Sequence, residues 1–227
     1  MWLLGFMDIW KIFLLLKDGL YYSVAIFVLT ILLSLPLGLL VCFGRMSKFK
    51  PIAWFFKFYI SIMRGTPLML QLFVVYFFPW YVLKIKLNLL GENWLFISVI
   101  VGFALNYAAY FAEIYRSGIS SVPEGQSEAG KVLGMKKSQI FFIVVLPQVI
   151  KRVLPAITNE IITLVKDTSL AFAIGQLEMF TIAKRVSSAM TSMTPYAVAG
   201  VIYYLFNLVV AWGASKLEKK LNVYSIK

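Results

Sequence analysis

The stretch GLYYSVAIFVLTILLSLPLGLLVCF, from Gly19 to Phe43, holds no charged side chain from end to end. A helix needs roughly 20 apolar residues to cross the ~30 Å hydrocarbon core of a bilayer. The segment is continuous rather than alternating in hydropathy, which excludes a barrel strand. The rest of the chain agrees with a membrane span. Of 227 residues, 61% are hydrophobic and 14% charged, against about 45–50% and about 25% in soluble domains. A chain of this length cannot hide that excess in one compact core, because its surface must still meet water. A soluble enzyme is excluded. Disorder is excluded too, since so much apolar surface offsets the entropy of ordering.

Working outward, four further segments are long and apolar enough to span. They are 52–83, interrupted by Lys57 and Arg64; 94–115, interrupted by Glu113; 141–174, carrying Pro147, Pro155, Lys151, Arg152 and Glu160; and 196–215, free of charge. Residues 1–18 mix Trp, Phe and Leu with Asp8, Lys11, Lys17 and Asp18 and lack the basic start of a cleaved signal peptide. They read as an interfacial helix. The expected fold is an all-α integral membrane protein, one domain over 1–227, with five transmembrane helices (19–43, 52–83, 94–115, 141–174, 196–215) after that N-terminal helix. The net charge is +12. With the N-terminus outside, 13 Lys and Arg fall in cytoplasmic segments and 7 outside, so the positive-inside rule predicts a multi-pass chain with N-terminus out and C-terminus in. A lone Cys42 and the absence of His exclude a disulfide framework and leave no zinc or haem ligand set. No metal is expected.

The loop 116–140 between the third and fourth spans is polar yet patterned. Ala129, Val132, Leu133 and Met135 form an apolar strip at helical spacing. Gly134 follows as the helix end, because a left-handed terminus is cheap for glycine, and Ser138 is placed to cap a new helix entering the membrane. The pattern predicts a short amphipathic helix, a sharp bend and a second helix on the cytoplasmic surface.

Glu128-Ala129-Gly130, then Gly134, Val144 and Leu146-Pro147, resembles the EAA motif of permeases in ATP-binding-cassette (ABC) importers. Gly130 stands where that motif usually has Ala, and Val144 where it usually has Ile. Further segments in order are Arg64-Gly65-Thr66-Pro67-Leu68, Asn106-Tyr107-Ala108-Ala109-Tyr110 with Glu113, Glu124-Gly125-Gln126, Leu146-Pro147-Gln148, Leu154-Pro155, Asn159-Glu160 and Leu164 to Leu170. Together they resemble the polar amino acid (histidine/glutamine-type) permeases over nearly the whole chain. The resemblance implies a translocation subunit that is not itself an enzyme and has no catalytic residues. It implies a homo- or heterodimer in a prokaryotic cytoplasmic membrane, two ABC ATPase subunits docked on Glu128, Ala129, Gly130 and Gly134, and an extracytoplasmic amino-acid-binding protein. The sequence agrees in lacking a phosphate-binding glycine loop ending in Lys-Ser or Lys-Thr. ATP and Mg are therefore expected on the partner, with no cofactor on this chain.

Ionisable groups at membrane depth are costly and are functional candidates. Gly65-Thr66-Pro67 after Arg64 reads as a helix break and restart, with Thr66 as N-cap and Pro67 at the first helical position. A helix restarted at midplane turns free N–H groups toward a cavity, a seat for a carboxylate. Asn106, Tyr110 and Glu113 share one face of the third span; Glu160, Thr163 and Asp167 share one face of the fourth, with Asn159 adjacent. The candidate substrate pathway is Arg64, Thr66, Gln71, Asn106, Tyr110, Asn159, Glu160, Thr163 and Asp167. The half-helix or Arg64 would take a carboxylate, and Glu160 or Asp167 an ammonium. The competing reading pairs Arg64 with Glu160 purely as architecture. A rival function is an ion-coupled transporter acting alone through Glu113, Glu160 and Asp167.

Overall fold

The computed structural model describes residues 2–91 and 93–221, and among these it is helical with no strand. The order is α1 (Trp2–Arg45), α2 (Lys50–Gly65), α3 (Leu68–Tyr81), α4 (Trp94–Ser120), α5 (Glu124–Val132), α6 (Lys137–Gln139), α7 (Leu146–Asp167), α8 (Met179–Met190) and α9 (Thr194–Leu221). A π-helical stretch, Ile140–Val145, joins α6 to α7, and a 3-10 turn, Thr168–Ile174, follows α7. Four helical runs are long and apolar enough to cross a membrane: Ile9–Arg45, Trp94–Ser120, Lys137–Ile174 and Thr194–Lys220. The bent pair α2–α3 makes a fifth if it is one crossing. The chain is a multi-pass membrane protein.

α4 is the hub. Its Phe103, Tyr107 and Phe111 are buried among Ile26 and Phe27 of α1, Leu72 of α3 and Leu164 and Val165 of α7. Its apolar residues occupy nearly every side, so this helix is surrounded by protein rather than lipid.

Several expectations change. No separate interfacial helix precedes the first span: α1 runs unbroken from Trp2 to Arg45. Its early turns have their own partners, because Ile12 and Leu16 are buried against Met179 and Ala183 of α8 and Ala199 of α9. The 52–83 span is two helices meeting at 115°. At that elbow Thr66 closes α2 instead of starting α3, and its hydroxyl donates to the Ile62 carbonyl at 2.9 Å. Pro67 takes the N-cap position of α3. The helix after the bend starts at Lys137, not beyond Ser138, because the Gln139 side chain reaches back to accept the Lys136 N–H at 2.8 Å. Between the fourth and fifth expected spans lies a further amphipathic helix, α8, which the span pattern does not predict.

The bend at Gly134 is as expected. Gly134 has φ +71°, and the N–H groups of Gly134 and Met135 return to the carbonyls of Lys131 and Gly130 at 2.9 and 3.0 Å. That double return is a Schellman end, which requires the left-handed residue. Gly130 answers a different need: a Cβ there would lie 2.8 Å from Ile140 Cγ1. The missing methyl lets the π-helical stretch pack directly on α5.

Candidate functional site

A cavity of about 580 Å³ opens among α2, α4 and α7, with Arg64, Tyr110 and Glu160 among its walls and Glu113, Arg116 and Arg152 among its other charged residues. Arg64 ends α2 and lies with its guanidinium 5.2 Å from the centre of the Tyr110 ring on α4, a cation–π contact. Glu160 faces the same space from α7. Arg64 and Glu160 face the same cavity without an ion pair within 4.0 Å. An ion pair joins Arg116 to Glu113 one turn back on α4, with Arg116 Nε donating at 2.9 Å. Arg152 of α7 donates to the Ser121 carbonyl and, at 3.0 Å, to its hydroxyl, tying α7 to the end of α4 where the chain turns into α5.

The remaining candidates separate into groups. Thr66, Gln71 and Asn106 meet at the elbow, where Gln71 Nε2 donates to Thr66 Oγ1 at 2.8 Å and Asn106 Nδ2 to Gln71 Oε1 at 2.9 Å. Asp167 accepts the Tyr107 hydroxyl at 2.7 Å, linking α7 to α4. Asn159 is exposed on α7 and Thr163 partly so.

Sequence reasoning missed Glu178. It is fully buried and caps α8, accepting the N–H of Phe180 at 2.6 Å, the N–H and hydroxyl of Thr181 at 2.7 and 2.8 Å, and the Tyr203 hydroxyl at 3.0 Å. Burial pushes its carboxyl above the usual range, against the pull of these donors. An acidic residue just before the amphipathic run Met179, Ala183, Ser187 was the available signal.

The α5 end presents Val132 and Leu133 at 88% and 79% exposure. Two apolar side chains so bare beside the Gly134 turn mark an unpartnered surface.

Residues 34–223 match the model of the binding-protein-dependent transport system inner membrane component family. The chain belongs to that family, which decides for a binding-protein-dependent importer and against an ion-coupled transporter working alone. It is 35% identical to the L-cystine transport system permease protein TcyB of Bacillus subtilis, over 94% of this chain and 89% of that one. It is also 35% identical to the arginine transport system permease protein ArtQ of the same organism, over 90% and 91%. A crystal structure of an amino acid ABC transporter with histidines superposes with TM-score 0.82 at 30% identity, covering 95% of this chain and 98% of that one.

Proposed function

We propose that the chain is the transmembrane subunit of an ATP-driven importer of a polar amino acid, working by alternating access. The observation that carries the substrate reading is that, of the cavity's charged residues, Arg116 and Glu113 pair with each other and Arg152 is tied to Ser121, which leaves Arg64 and Glu160 facing the space without an ion pair to each other. An α-amino acid has the complementary charges. Arg64 takes the carboxylate and Glu160 the ammonium, each as a charge-assisted hydrogen bond. Thr163 and Asp167 lie further along α7 and Asn159 just before Glu160, and these three line the route rather than the seat.

The exposed polar residues support a dimer. Lys57, Ser61 and Arg64 on α2, and Arg152, Asn159 and Lys166 at seven-residue intervals on α7, are all exposed in the single chain. Lipid is a poor partner for them. A second permease subunit, identical or related, covers these faces and encloses a wet path. The reading of five crossings is supported by α3 running along α4, with Gln71 at Asn106 and Tyr76 at Trp94, so that the bent pair ends beside the start of α4. With the N-terminus outside, α5 is cytoplasmic.

Glu128, Ala129 and Gly134 then lie on the surface on which each of two ATPase subunits docks, with Gly130 buried behind it against Ile140, and ATP with Mg is held by the partner. Closure of the ATPases pushes α5, which the Gly130–Ile140 contact and the Arg152–Ser121 bond couple to the π-helical stretch and α7. ATP binding must favour the outward state for this to drive import.

The test is uptake into proteoliposomes holding this subunit, its ATPase and its binding protein. Arg64→Gln and Glu160→Gln should each weaken amino acid stimulation of ATP hydrolysis about 10- to 150-fold in apparent affinity, with assembly intact. Wild-type stimulation in both variants would remove this cavity as the seat. A cysteine at Ser127 in a Cys42→Ala background should react with impermeant thiol reagents from the cytoplasmic side alone.

A further inference from the structure

We infer that Gln71 and Asn106 are positioning residues rather than substrate ligands: they latch the α2–α3 elbow onto α4 and thereby hold Arg64 over Tyr110. The inference starts from a proline. In a continuous helix the Met63 carbonyl would accept the N–H of residue 67, and Pro67 has none. A backbone carbonyl left without a donor inside a helical bundle is costly. Two side-chain amides take the place of the missing N–H, Gln71 Nε2 and Asn106 Nδ2, each donating to Met63 O at 3.0 Å.

Gln71 Nε2 also reaches Thr66 O at 3.1 Å and Thr66 Oγ1 at 2.8 Å, while Gln71 Oε1 accepts from Asn106 at 2.9 Å. An amide nitrogen carries two protons. Those of Gln71 and of Asn106 are all committed, and both side chains are buried, so neither has a donor left for a ligand. Met63 and Thr66 belong to the end of α2, Gln71 to α3 and Asn106 to α4. One knot therefore binds three helices.

The elbow is fastened to α4 again on either side. Tyr59 of α2 donates to the Leu105 carbonyl at 2.5 Å, and Trp94 of α4 donates to the Tyr76 carbonyl at 3.1 Å. Elbow and α4 form one body, and the Arg64–Tyr110 contact joins its two members. Without the knot, Arg64 loses its fixed place beside the cavity.

The inference rests on Arg64 as the carboxylate seat, and its test separates the two. The full-length subunit with its ATPase is placed in nanodiscs, and equilibrium binding is measured with the tightest binder among labelled glutamine, arginine and cystine. Asn106→Asp keeps the side chain's shape and loses both donated bonds. Asn106→Asp and Arg64→Gln should each weaken binding roughly tenfold, and the double variant no more than Arg64→Gln alone. Effects that multiply would make Asn106 a direct ligand and overturn the inference, as would wild-type binding by Asn106→Asp. Spin labels at Ile52 and Val74 in a Cys42→Ala background read the elbow itself. Gln71→Glu should broaden their distance distribution; an unchanged distribution overturns the latch. If Arg64→Gln binds normally, the carboxylate seat fails, and the distance measurement alone decides the latch.

Discussion

Two sharp bends in this molecule end a helix within a few residues, and they are held in opposite ways. At Leu133–Met135 the chain turns on its own backbone: two N–H groups return to carbonyls of the same helix, and Gly134 supplies the left-handed residue. At Thr66–Pro67 the backbone cannot close itself, because proline removes the needed donor. Side chains from α3 and α4 complete it. The first bend is a local property, portable with its dozen residues. The second exists through partners 8 and 43 residues away from Met63, so it moves only as they move. If α5 is the docking surface proposed above, it rests on a bend that holds itself, whereas the cavity wall at Arg64 rests on one tied to the core of the bundle.

This contrast is most exposed to Gln71→Leu. It removes the three contacts that Gln71 Nε2 donates to the elbow and the Gln71 oxygen that accepts one of the two Asn106 bonds, so a loss of about 3 kcal/mol or more in subunit stability is expected. Thermal unfolding in detergent would measure it. A melting point like that of the wild type would mean that the elbow, too, is a local structure.

Gly134→Val attacks the other bend. A β-branched residue at φ +71° should cost about 1–2 kcal/mol. The damage should be confined to ATPase co-purification and transport, with membrane insertion normal. Loss of the whole fold would show this turn to be as interdependent as the elbow.

Gly130→Ala should cost less, about 1 kcal/mol, since Ile140 must give way. Ile140→Val in the same chain should return part of that loss, measured by the same unfolding transition. Smallest is Pro147→Ala. There the helix has slipped into π register, with the Leu146 N–H reaching the Phe141 carbonyl. Because the register shift reroutes the bonds around the ring, a gain or loss under about 1 kcal/mol is expected. A large gain on removing Pro147 would show strain there comparable to that at Pro67.

The features legible in the residues alone are those that depend on neighbours in the chain. Uninterrupted apolar runs required membrane helices, because backbone polar groups in lipid must bond within their own segment. Gly134 could be read as a helix end because its conformation is set by residues within one turn. Gly65-Thr66-Pro67 could be read as a break for the same reason. The angle of that break, and whether Gln71 and Asn106 face a ligand or a carbonyl, depend on which helix lies alongside, and no spacing in the sequence encodes that. Nor could periodicity tell that Arg64 would lie over Tyr110 instead of pairing with Glu160, that residues before Lys17 would find α8 and α9 to pack on, or that Glu178 would be buried as the cap of α8. Each is a contact between segments remote in the chain. Such contacts are fixed by which buried polar groups find partners when the helices assemble, and the tertiary structure alone decides that.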